Sequence, residues 1–407
     1  MKPWAPPEAA KVVDMWQNAD RYLVKERRDY WMNASYYVSH QWIWWDSSRN
    51  TVQELSYANE AEKGSRITVD KYGPRTRSLL ARLTRAELMW EVQPSGMDDS
   101  SMRRQRLQEQ LLLGEQRHNN WEDVREMCLL QTLFGGSAAI CVDWDPDKGE
   151  DYLLDAMSQI SVPLGGIRLT PMGINEFTLE PGSTNAADAR WWIRCTSLPP
   201  EQVQERYNLE ETPKADSEAM LSARHRSLLR NRLGGDPPKT TLVYVYYERP
   251  TNRGPGCVVH VVNNEVVLLE EEWPFPFKHL NVSIFRQNKI PNSWVGHTLL
   301  TPARDVQYAY NRARSTILEH MRKAANARMM VPSGSVDDAD SLTIDPADVL
   351  EYNSEIGEPH WQTAPEVPRW ISNEAQFLEA ELDDIFHTHQ TSRGEAPGDR
   401  NSGLALA

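Results

Sequence analysis

Apolar residues recur every three or four positions from residue 8 to about 39. Val12, Val13, Trp16, Ala19, Leu23 and Val24 alternate there with charge, and the spacing predicts a helix. The period returns from Ser65 to Met89, where RTRSLLARLTRAEL sets Leu79, Leu80, Leu83 and Leu88 among arginines. PSGMDDS then signals a turn with Ser95 or Asp98 as a cap. A single long helix is expected to follow from near Ser101 to Phe134, closed by Gly135 and Gly136. SAAICVDWD reads as a strand, and from 160 to 290 the period shortens to that of strands in GGIRLTPM, EFTLEPG, RWWIRCTSL, TLVYVYYER and CVVHVV-NN-EVVLLEEE. Asn263-Asn264 suits a hairpin turn, and a charged helix-like insert is expected over Thr212 to Leu233.

The last third returns to the helical period. Thr301 is a plausible N-cap, with Pro302 at the first helical position. Val306, Tyr310, Ala313, Ile317, Met321 and Ala324 then mark one face of a helix of about 29 residues, about 44 Å long. Residues 332–370 read as a small polar segment with strand-like SLTI and DVLEY. A second helix follows with Ile371, Ala375, Leu378, Leu382 and Ile385 on one face. The first helix is basic through Arg304, Arg312, Arg314, Arg322, Lys323 and Arg328. The second is acidic through Glu374, Glu379, Glu381, Asp383 and Asp384. Packing is expected through Val306, Tyr310, Ile317 and Met321 against Leu378, Leu382 and Ile385, with Arg312 and Arg322 complementing Glu379 and Asp383. Two independent solvated helices are the alternative.

Composition narrows the function. The chain has 407 residues, 40 % hydrophobic and 25 % charged, which allows two or three domains and at least one real core. No apolar run reaches membrane-helix length, and MKPWAPPEAAK has no apolar signal core. The net charge of −14 argues against a protein that grips a phosphate backbone, though not against one that lets DNA slide past. Cys128, Cys141, Cys195 and Cys257 are scattered without metal-ligand spacing and suit reduced core thiols. The 15 tryptophans, clustered at Trp42, Trp44, Trp45 and at Trp191, Trp192, fit either a core or a subunit interface.

The chemistry-bearing patterns are sparse. There is no GxxxxGK[ST] loop to cradle phosphate and no GxSxG serine. His387 and His389 stand about 200° apart on a helix and cannot share a metal from one face. Asp143, Asp145 and Asp147 would suit a metal-dependent nuclease or an acidic surface turn. No cofactor and no catalytic residue is expected.

Several stretches together resemble the portal proteins of tailed bacteriophages. They are WVGHTLLTPARDVQYAYNRARSTILEHM (294–321), GEAPGDRNSGLAL (394–406), LFGGSAAICVDWD (133–145) and RITVDKYGPRTRSLLARLTRAEL (66–88), and the resemblance covers about 60–407. It implies an α+β portal-type fold. Residues 1–64 would form an N-terminal helical and aromatic segment and 65–297 a mixed α/β wing. Stem helices would lie at 298–331 and 371–390 around a clip at 332–370. A tunnel loop would follow at 391–402, and 403–407 would begin a helix toward a crown. It also implies a non-enzymatic homo-oligomeric ring, usually of twelve subunits, at one capsid vertex of the virion, assembled in the host bacterial cytoplasm. Terminase large subunit, head–tail adaptor, major capsid protein, scaffolding protein and passing double-stranded DNA are the implied partners. The loop would present Arg393, Gly394, Glu395, Pro397, Gly398, Asp399, Arg400 and Asn401 to the DNA. Its two arginines could touch phosphate while Glu395 and Asp399 limit how tightly they hold. The rivals are the nuclease and another ring or adaptor component of the virion.

Overall fold

The computed structural model describes residues 5–48, 51–57, 66–85, 91–94, 96–149, 151–155, 160–215, 240–252, 254–262, 266–325, 328–330, 353, 355–356, 360–362 and 369–387. Within these the protein is mixed helix and sheet. Its helices are α1 (Ala9–Tyr22), α2 (Val24–Tyr37), α3 (Tyr72–Thr84), α4 (Asp99–His118), α5 (Trp121–Gly135), α6 (Pro200–Tyr207), α7 (Leu300–Ala325) and α8 (Arg369–Phe386). Its strands are β1 (Ile43–Asp46), β2 (Thr51–Glu54), β3 (Ser137–Asp145), β4 (Asp151–Asp155), β5 (Ile160–Pro163), β6 (Gly166–Gly173), β7 (Phe177–Leu179), β8 (Trp191–Leu198), β9 (Thr241–Glu248), β10 (Cys257–Val262), β11 (Val266–Glu272), β12 (Val282–Arg286), β13 (Asn288–Lys289), β14 (Gly296–His297), β15 (Arg328–Met330) and β16 (His360–Gln362). The chain divides into two compact units, Met1–Leu55 with Tyr72–Arg304, and Ser56–Lys71 with Asp305–Ala407.

The first unit is layered around two antiparallel sheets, one ordered β11-β10-β9-β8-β7 and the other β12-β3-β6. Side chains alternate across each strand, so one strand serves two cores. From β9, Leu242, Tyr244 and Tyr246 meet Val12, Val13 and Trp16 of α1. Val243, Val245 and Tyr247 point the other way, toward Ala139 and Cys141 of β3. The opposite side of β3 places Ala138 and Ile140 on Val124 and Cys128 of α5. Both faces of β8 and β9 are therefore covered, which explains why RWWIRCTSL and TLVYVYYER are nearly continuous apolar runs. Trp191 and Trp192 belong to these cores. Trp44 on the β1–β2 hairpin keeps 46 % of its surface exposed.

Two expected long helices are each a pair. The helix over 8–39 breaks at Leu23, between α1 and α2. The helix over 101–134 breaks at Asn119-Asn120, where Asn120 takes φ +46 and Asn119 Oδ1 accepts from Leu169 N and Lys148 Nζ. Asparagine tolerates the left-handed region, and its amide replaces the bonds a continuous helix would make. The helix expected from Ser65 begins at Tyr72, and 66–71 is not helical. Asp98 is the N-cap of α4, accepting from Ser101 N at 3.2 Å; hydrogen bonds from Ser100 and Ser101 draw its pKa down to about 2.

Gly136 closes α5 at φ +75, and its N–H donates to Thr132 O at 2.8 Å. Its backbone lies so near Gly296 that an added Cβ would stand 2.4 Å from that carbonyl oxygen. Helix α7 starts at Leu300, with Thr298 Oγ1 accepting from Leu300 N at 3.0 Å. Thr301 and Pro302 therefore lie inside the first turn. Arg304 in that turn reaches Asp29 at 3.4 Å and Asn33 at 3.3 Å, a buried ion pair with α2. The helix ends at Ala325, before β15.

Candidate functional site

In the second unit α7 carries two stripes. One is apolar. Tyr310 is buried with Ala375 and Leu378 of α8, and partly buried Val306, Ala309, Ala313 and Val69 pack on the same cluster. Leu382 and Phe386 of α8 are fully buried, and Ile385 and Ile317 are half-buried. Met321 is 58 % exposed, and Arg312 and Arg322 are exposed too.

The other stripe is polar. Gln307, Asn311 and Ser315 recur every fourth residue and hold the extended segment 66–71 by alternate amides. Lys71 N donates to Gln307 Oε1, Val69 N to Asn311 Oδ1 and Ile67 N to Ser315 Oγ, each at 3.1 Å. Gln307 Nε2 also donates to Val69 O at 2.9 Å and to Asn311 Oδ1 at 3.1 Å. Two residues of extended chain advance about 6.6 Å and four residues of helix about 6.0 Å, so the rungs stay in step over three repeats. The order of the rungs runs the segment antiparallel to α7. Lys71 Nζ donates to Glu379 Oε1 of α8 at 2.7 Å, so this carboxylate has an ion-pair partner from the extended segment. Asp383 is half-buried on the same helix.

Beyond α7, β15 pairs with β16 in the register Arg328↔Gln362, Met329↔Trp361, Met330↔His360. The strand-like SLTI and DVLEY lie outside the described residues, as does every tunnel-loop residue from Arg393 to Asn401. His387 ends α8 at φ +50, and His389 is also outside the described residues.

The carboxylates of Asp143 and Asp145 are engaged within the first unit. Asp143 accepts from Arg194 Nη1 at 3.2 Å, Tyr247 Oη at 3.2 Å and Asn281 Nδ2 at 2.8 Å. Burial, then the Asp143 charge, raises the Tyr247 pKa well above its ordinary value and keeps it a neutral donor. Asp145 pairs with Arg168 at 3.3 Å and accepts from Asp147 N at 3.2 Å. Among the described residues no three His, Cys, Asp or Glu side chains gather as a metal would require.

Sequence reasoning missed the 66–71 segment and its ladder. The signal was present: Gln307, Asn311 and Ser315 form a polar file inside an amphipathic helix, beside the apolar file that was read. No described helix is long and apolar enough to cross a membrane.

Residues 253–407 match the family model of the phage P22-like portal protein, a span that takes in both α7 and α8. No curated protein matches the chain. Over residues 253–407 the chain is similar to the P22-like portal proteins of phages, a structural family of the virion.

Proposed function

We propose that this chain is the subunit of a ring at one vertex of a phage capsid, through which double-stranded DNA is packaged and later ejected. The observation that carries the reading is the portal match over 253–407, which covers the basic helix α7, the acidic helix α8 and the segment beyond them. In this reading α7 and α8 are the stem, packed through Val306, Tyr310 and Leu378. Residues 332–370 form the clip on which terminase, and afterwards a head–tail adaptor, would dock. Residues 391–402 form the loop that meets DNA. The net charge of −14 suits a channel that must not hold its cargo: Arg393 and Arg400 give weak, sequence-blind contact, and Glu395 and Asp399 keep it weak. Capsid and scaffolding proteins would surround the ring. Asp143 and Asp145 act as structural acceptors, and the chain supplies no catalysis.

The test is genetic. A nonsense codon early in the gene, in the phage that encodes it, should give heads without packaged DNA, and the chain supplied in trans should restore filling. Heads that fill normally without it would refute the reading.

A further inference from the structure

Helix α4 is turned inside out. Its half-buried side is polar, made of Gln105, Glu109 and Gln116, with Gln105 Nε2 donating to Glu109 Oε1 at 3.1 Å. On the opposite side Leu107 and Leu111 are 57 % and 60 % exposed, and exposed Arg103 and Arg104 flank them. Gly114 lies in the Leu107–Leu111 stripe, and a Cβ added there would meet nothing within 4 Å, so the stripe is open. A helix of a self-sufficient domain turns its leucines inward. One that turns them outward and lines them with arginine fits a partner that is apolar and acidic.

The same unit carries such a surface. β11 is the outermost strand of the five-stranded sheet. Val266, Val267 and Leu269 are 47 %, 40 % and 38 % exposed and lead directly into exposed Glu270, Glu271 and Glu272. An uncovered apolar edge strand invites pairing with another chain. The two patches match in size of side chain and oppose in charge.

We propose that α4 of one copy docks on the β11 edge of the next. Leu107 and Leu111 cover Val266–Leu269, and Arg103 and Arg104 face Glu270–Glu272. The patches differ, so the contact is head-to-tail, and its repetition closes a ring if the rotation per copy permits. This inference rests on the ring reading and names the surfaces that would build it.

Cys128, Cys141, Cys195 and Cys257 are all buried, so introduced thiols can be read against little background. The full chain is made as L111C, as L269C and as both. Under mild oxidation neither single variant should cross-link alone, their mixture should give a covalent dimer, and the double variant should give a ladder of multimers. A dimer from L111C alone overturns the head-to-tail contact. A native ring without cross-links in the mixture or the double variant overturns the α4–β11 assignment and leaves the ring reading standing. A wild-type chain that stays monomeric overturns both. A charge swap covers the case of a misfolded cysteine variant. R103E/R104E should lose assembly while keeping its far-UV circular dichroism, and adding E270K/E271K/E272K should restore it; no rescue overturns the pairing.

Discussion

Gly136 is where a single side chain would do most harm. Its φ of +75 is costly for any residue with a Cβ, and that Cβ would meet the Gly296 carbonyl, a backbone atom that cannot swing away. Gly136→Ala should cost about 2–3 kcal/mol in urea unfolding, whereas Gly114→Ala in open space should be neutral or slightly stabilising. His260 sets a second expectation. It faces Tyr207 Oη at 2.7 Å, and burial, then the charges of Arg206 and Arg194, lower its pKa from 6.5 to about 4. Between those values the unfolded chain binds the proton and the folded chain does not. The contribution is therefore complete above pH 6.5 and declines as pH falls toward 4, by up to about 1.4 kcal/mol per unit. Unfolding of His260→Gln, measured beside the wild type across that window, should lose this part of the acid slope. Equal slopes would contradict the assignment.

The ladder on α7 belongs to the scale of elements. Gln307 and Asn311 are fully buried, so truncating them leaves amides of the 66–71 segment without acceptors, at about 1–3 kcal/mol each. In Asn311→Ala the amide of Val69 should exchange with solvent much faster, while those of β9 keep their protection. Unchanged exchange at Val69 would refute the ladder. This scale also shows what a sequence can carry. The strands of the large sheet, the N-cap at Asp98, the Gly136 stop and helices α7 and α8 were legible because each leaves a periodic or turn-specific mark. The breaks at Leu23 and Asn120 were not, because the apolar period continues through both and tertiary bonds decide the kink. α2 lay within the expected helix, but its packing did not show in the sequence: it buries Arg27, Asp29, Asn33 and Ser35, polar residues that pattern alone assigns to solvent. Arg27 is satisfied by Asp20, the Ile174 carbonyl and the Trp16 ring. In the candidate site the apolar stripe was readable. The extended strand beside it was not, since contacts across more than 230 residues leave no local period.

For the whole molecule the account depends on assembly. A chain of net charge −14, with leucines on the outside of α4 and a bare acidic strand at β11, is incomplete alone and coherent as one copy among several. The similarity to the portal family over 253–407 supports the same reading from independent residues. Single-particle electron microscopy of the purified chain at micromolar concentration is the most direct check. Closed rings with an axial hole wide enough for duplex DNA are the predicted result; a field of compact monomers or closed dimers without a hole would contradict the account.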